Sequence, residues 1–126
     1  MTVAIICTAL LGVLLFGLGM VVSFSRGDQM YGFTPEPDNP LYKRIRAHGN
    51  TTEYAPFLAV LFLATAAHDP AAWVLWCIGL ATLSRYLLVV GLLVGNLDKP
   101  HPLRFAGALG TYLTGLALSV NLALSI

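Results

Sequence analysis

Hydrophobic positions fall in four blocks, and the blocks set the architecture. Val3 to Phe24 is a run of 22 residues without a charge. A membrane-crossing helix needs about 20 predominantly apolar residues, so this run predicts a first span. It exceeds the apolar core of a signal peptide, about 7–15 residues, and no Lys or Arg precedes it. It reads as a retained span. Residues 25–41 then lose all period. Gly27, Gly32, Pro35, Pro37 and Pro40, with Asp28, Glu36 and Asp38, predict a loop. Loops of about 17 residues are often functional.

The second block is too short by itself. Tyr54 to Ala67 is 14 apolar-rich residues, about 21 Å of helix, against a hydrocarbon core of about 30 Å. The helix must therefore extend back through Arg46-Ala-His-Gly-Asn-Thr-Thr-Glu53. That brings an arginine, an asparagine and a glutamate to membrane depth, where charge is costly. His68-Asp69-Pro70 predicts a tight turn, and a third span runs from about Ala71 to Gly95 with Arg85 inside it. Asn96 to Pro102 forms the third connection, and a fourth span runs from Leu103 to the C-terminus.

Composition agrees with the pattern. The chain is 57% hydrophobic and 10% charged, against roughly 25% charged residues in a soluble domain; its mean hydropathy is +0.77. The 126 residues predict a single all-α domain over 1–126, an integral membrane four-helix bundle. A net charge of +1 and no basic tract exclude a nucleic-acid partner. Cys7 and Cys77 lie in apolar runs and read as small hydrophobes. His48 and His101 form no metal-ligand spacing with them, so no metal is expected.

Charge placement predicts orientation. Arg26, Lys43, Arg44, Arg46, Lys99 and Arg104 fall in or beside the first and third connections, and the other face carries no Lys or Arg. The positive-inside bias puts loops 25–45 and 96–103 in the cytoplasm and both termini opposite. The setting is a multi-pass protein of the inner or cell membrane, if the source is bacterial. Trp73 and Trp76 suit an aromatic anchor at the outer interface. Gly91-x-x-x-Gly95 and Ala106-x-x-x-Gly110 permit close helix association.

The chemistry concentrates on the second helix. With Arg46 at zero, Asn50 falls at about 40°, Glu53 at about −20°, Phe57 at about 20° and Tyr54 at about 80°. His48 lies on the far side, at about 200°. Arg46, Asn50 and Glu53 thus share one ridge of cation, amide and anion, a site suited to a zwitterion. Arg46 offers a fork for a carboxylate, and Glu53 an acceptor for an ammonium. The same charges also suit helix packing by mutual neutralisation. Arg85, too deep to snorkel, must face the bundle interior, where Glu53 is the only carboxylate within a span.

The segment Arg46-Ala-His-Gly-Asn-Thr-Thr-Glu-Tyr-Ala-Pro56 resembles the signature of the MAPEG family, membrane-associated proteins of eicosanoid and glutathione metabolism. Chain length, span count, the loop after the first span and Pro102-Leu103-Arg104-Phe105-x-Gly107 extend the resemblance over nearly the whole chain, in a bacterial-type member. The resemblance implies a homotrimer that binds glutathione as co-substrate between subunits near the cytoplasmic face. Arg46, Asn50, Glu53 and Tyr54 would contact the tripeptide, with His48, Tyr86 and Arg104 completing the candidate binding set. Arg26 would hold the thiolate, since a nearby cation raises the thiolate fraction, and Arg85 is the second candidate catalytic residue. The second substrate would be an apolar electrophile or a lipid hydroperoxide from the surrounding membrane lipids.

The chain departs from the family pattern where Leu88 replaces a histidine and Val90 a tyrosine. An eicosanoid-specific activity is therefore not expected. A glutathione transferase or peroxidase is the leading reading. The alternatives are a small four-helix transporter of a cationic or zwitterionic compound, with Glu53 as its buried carboxylate, and a non-catalytic glutathione-binding scaffold.

Overall fold

The computed structural model describes residues 1–27 and 36–125. The described residues form four helices and no strand: α1 (Thr2–Arg26), α2 (Pro40–Ala66), α3 (Ala72–Val94) and α4 (Pro102–Leu124). Helices α1, α3 and α4 are long and apolar enough to cross a membrane. α2 carries the polar segment instead, yet its 27 residues reach about 40 Å, more than the hydrocarbon thickness. The middle of the 25–41 loop, residues 28–35, lies outside the described residues, so its functional role is untouched by the structure.

The expected loop 25–45 ends earlier than its prolines suggested. Asn39 caps α2 by accepting from the Tyr42 N–H at 3.1 Å, and Pro40 takes the first helical position. Proline is favoured there because its missing N–H would have no helical partner anyway. Residues 40–45 are therefore helix. α4 starts in the same way, with His101 Nδ1 accepting from the Leu103 N–H at 3.3 Å and Pro102 next. The first and third connections meet at one end of the bundle, where the Leu97 N–H donates to the Pro37 carbonyl at 3.1 Å. At that end Lys43 also pairs with Asp38 at 2.6 Å, and the ammonium holds the Asp38 carboxyl below its usual range.

Each helix turns one stripe inward. α1 buries Ala4, Cys7, Leu11, Leu14, Leu18 and Val22, and the opposite face leaves Val13, Phe16, Met20 and Phe24 exposed for lipid. The inward stripe of α3 reads Val74, Ile78, Ala81, Arg85, Leu88 and Leu92. The arginine thus stands where helical phase demands a core residue. The glycines set the closest approach. A Cβ on Gly91 would lie 2.6 Å from the Arg104 backbone nitrogen, and one on Gly107 2.5 Å from the Leu88 nitrogen. Gly110 faces Ser84 just as closely. Of the small-residue pairs read as association motifs, Gly91 and Gly110 thus serve the α3–α4 contact within one chain, while Ala106 is exposed. Tyr86 fastens α3 to α1, its hydroxyl donating to the Leu10 carbonyl at 2.9 Å. The α1 and α4 backbones do not come close to one another among the described residues. Both cysteines are free thiols in the upper apolar core, Cys7 buried and Cys77 half-buried.

Candidate functional site

Helical phase carries the ridge of α2 to a seam with α4. At the end near the first and third connections, Arg46 and Asn50 line a groove of about 380 Å³ with His101, Arg104, Leu88 and Phe105. One turn deeper, Glu53, Tyr54 and Phe57 line a second groove of about 420 Å³ with Thr111, Tyr112 and Ser119. The two lie end to end along the same pair of helices. The first sets Arg46, Asn50 and Arg104 among apolar residues such as Leu88, Leu92 and Phe105. The second is mostly apolar, with hydroxyls and one carboxylate at its lip.

Arg46 is exposed, so its guanidinium is open to a ligand in this groove. Arg104 is half-buried and partly engaged. Its Nη1 donates to the carbonyls of Asn96 at 3.2 Å and Lys99 at 3.1 Å, which fixes the turn before α4. Tyr54 meets Tyr112 with hydroxyls 3.5 Å apart and ring centroids separated by 5.9 Å. Tyr112, Thr111 and Ser119 were not among the sequence-derived site residues. Thr111, Gly115 and Ser119 do repeat every four residues, but such a stripe reads equally as helix packing.

Arg85 corrects an expectation. It is fully buried, but the sole ion pair among the described residues joins Lys43 and Asp38, so Glu53 does not bridge to it. Its Nη2 donates instead to Asn50, at 2.6 Å to Oδ1 and 3.1 Å to the backbone oxygen. The Tyr54 ring covers the guanidinium, with Cζ 5.1 Å from the centroid. A neutral amide and an aromatic face take the place of an anion, which is possible because the ring's quadrupole attracts cations.

The remaining candidates point elsewhere within this chain. His48 and Arg26 share a groove of about 770 Å³ between α1 and α2, walled by Phe16, Met20 and Phe24. The His48 ring packs against Gly19, where a Cβ would sit 3.3 Å from Nε2. Tyr86 faces α1 through its bond to Leu10. Neither Arg26, His48 nor Tyr86 therefore joins the Arg46 groove of its own subunit.

An all-helical chain with three membrane-span candidates and a polar seam on a fourth helix is an integral membrane protein. A sequence profile of the MAPEG family matches residues 3–124, and the chain belongs to that family. Membership supports a glutathione-related function in the membrane. Comparison with curated proteins and with solved structures gives no match.

Proposed function

We propose that the chain binds glutathione along the α2–α4 seam and joins it through its sulfur to apolar electrophiles or reduces lipid hydroperoxides with it. The observation that carries this reading is the end-to-end arrangement of a groove that bears two guanidiniums and an amide, Arg46 with Arg104 and Asn50, and a more apolar one beyond Glu53. Glutathione bears two carboxylates, an ammonium and a thiol. The carboxylates suit the guanidinium of Arg46 and the donors beside it, and the ammonium suits Glu53. The thiol would then lie where the polar groove gives way to the apolar one, open to a second substrate arriving from lipid.

A cation beside the sulfur favours the thiolate, the attacking species. In transfer, the thiolate forms a bond to carbon and the leaving group departs. With a hydroperoxide it attacks the distal oxygen, the O–O bond breaks and the departing alkoxide takes a proton; a second glutathione then converts the sulfenic acid to the disulfide with loss of water. Arg104 is the cation supplied by the same chain. Arg26 reaches such a sulfur if a neighbouring subunit presents its α1–α2 face, and this is the role of a homotrimer in the proposal. The basic end of the bundle, with the connections between α1 and α2 and between α3 and α4, faces the cytoplasm, where glutathione is made available to the groove.

Titration of the purified protein with glutathione, followed by thiolate absorbance in the far ultraviolet, tests the reading. A saturable rise that disappears in Arg46→Ala supports it. No rise and no heat of binding would favour proton-coupled transport through Glu53, checked by uptake into vesicles. Arg26→Ala is expected to lower the thiolate signal while largely sparing the binding heat. An unchanged signal removes Arg26 from the mechanism. Crosslinking in mild detergent is expected to stop at three subunits, and a limit of two would contradict the trimer.

A further inference from the structure

Arg85 is a fully exposure-free cation in the middle of α3, and its hydrogen bonds converge on a single residue of the candidate site. Nη2 donates to both the backbone oxygen and Oδ1 of Asn50, while Nε has no partner. A guanidinium is a donor and never an acceptor. Whatever else approaches Asn50, its amide must therefore turn the carbonyl toward Arg85. The Nδ2 amino group, with two hydrogens, is what Asn50 has left to offer the groove it lines with Arg46 and Arg104. Tyr54 closes over the guanidinium at 5.1 Å, so the arrangement is held from two sides.

We infer that Arg85 is a specificity-positioning residue, which fixes Asn50 so that its amide presents only the amino group to the groove and selects a ligand carboxylate over the corresponding carboxamide. The inference rests on the glutathione reading above. A freely rotating asparagine amide serves either partner, since a half-turn exchanges its acceptor for its donors. Beside a carboxylate it offers NH2, and beside a carboxamide it offers C=O. Arg85 removes the second option. The cation acts through Asn50 and touches no ligand. Its burial then has a purpose that packing does not supply, because hydrophobic replacement of buried charge is often neutral or stabilising.

The test is calorimetry on the detergent-solubilised full chain with three ligands: glutathione and its two mono-amides, each with one carboxylate converted to a carboxamide. The unaltered protein is expected to prefer glutathione over one of the mono-amides by about tenfold, the scale of one charge-assisted hydrogen bond. In Arg85→Leu that ratio is expected to fall close to one. In Asn50→Asp, Arg85 keeps an acceptor but the groove loses its amino group, and the same mono-amide is expected to become the better ligand. If Arg85→Leu weakens all three ligands by a common factor, the arginine is merely structural and the inference fails. Should Arg85→Leu not fold, Asn50→Asp decides, and a preserved preference for the carboxylate overturns the inference. An unaltered protein that binds all three ligands equally also overturns it while leaving the glutathione reading intact. Failure of the unaltered protein to bind any of the three overturns both.

Discussion

Glu53→Gln is expected to weaken glutathione binding by about ten- to a hundredfold, while Asp38→Asn leaves it unchanged. Both substitutions remove one negative charge and preserve shape. They differ in place. Glu53 stands at the lip between the groove that bears the two guanidiniums and the more apolar one, where an ammonium donor would find it. A hydrogen bond between charged partners contributes about 1.5–3 kcal/mol, and each 1.4 kcal/mol is tenfold in affinity. Asp38 is held by Lys43 at 2.6 Å before α2 begins and lines neither groove of the seam. Its carboxyl, kept below the usual range by that ammonium, is fully ionised at neutral pH. The pair's contribution is present above the ordinary carboxylate range and is lost only as pH falls through the lowered value. With Asp38 itself exposed, solvent screens much of that contribution. Calorimetry on the two variants decides the matter, and equal losses would remove Glu53 from the site.

Gly107→Val is expected to destabilise the bundle by about 3 kcal/mol, the upper part of the usual cost of overpacking. A Cβ at this position would lie 2.5 Å from the backbone nitrogen of Leu88 and 2.7 Å from its Cα. Backbone atoms cannot swing aside as the end of a side chain can, so α3 and α4 would have to part. Since a domain is stable by about 5–15 kcal/mol, the loss is a large fraction of the whole. Gly79 gives the contrast, because nothing lies within 4 Å of a Cβ there. Gly79→Ala should hold or raise the melting temperature, alanine being favoured over glycine in a helix by about 1 kcal/mol. Thermal unfolding in detergent reads both changes. A Gly107→Val protein that melts like the unaltered one would contradict the described helix spacing.

Much of this architecture is legible in the chain itself, for reasons that differ by element. α1, α3 and α4 announce themselves through length and lack of charge, since lipid leaves the backbone no other way to satisfy its hydrogen bonds. α2 is legible through a shortfall: its apolar stretch does not reach across a bilayer, so the polar residues before it had to be helical. Its start was hidden because Pro40 reads as a breaker until Asn39 is seen as a cap. The shared face of Arg46, Asn50 and Glu53 follows from helical phase alone. Tyr112 does not, because its meeting with Tyr54 depends on how α4 is rotated against α2. Nor does the partner of Arg85. Charge matching pointed to Glu53, whereas an amide and an aromatic ring together satisfy the cation without a carboxylate.

The glycine-tight contact between α3 and α4 has a mechanical side. Two helices whose backbones touch move as one piece, and the α1 backbone does not come close to that of α4. The seam therefore resembles a caliper, with Arg46, Asn50 and Glu53 on the jaw formed by α2 and Arg104 and Tyr112 on the jaw formed by α4. The Arg85 guanidinium, reaching from α3 to Asn50, is the pin through its hinge. Small changes in the tilt of α2 alter the gap between the jaws while leaving the residues on each jaw in fixed register. A caliper of that kind varies the width of the seam without rearranging the side chains that line it.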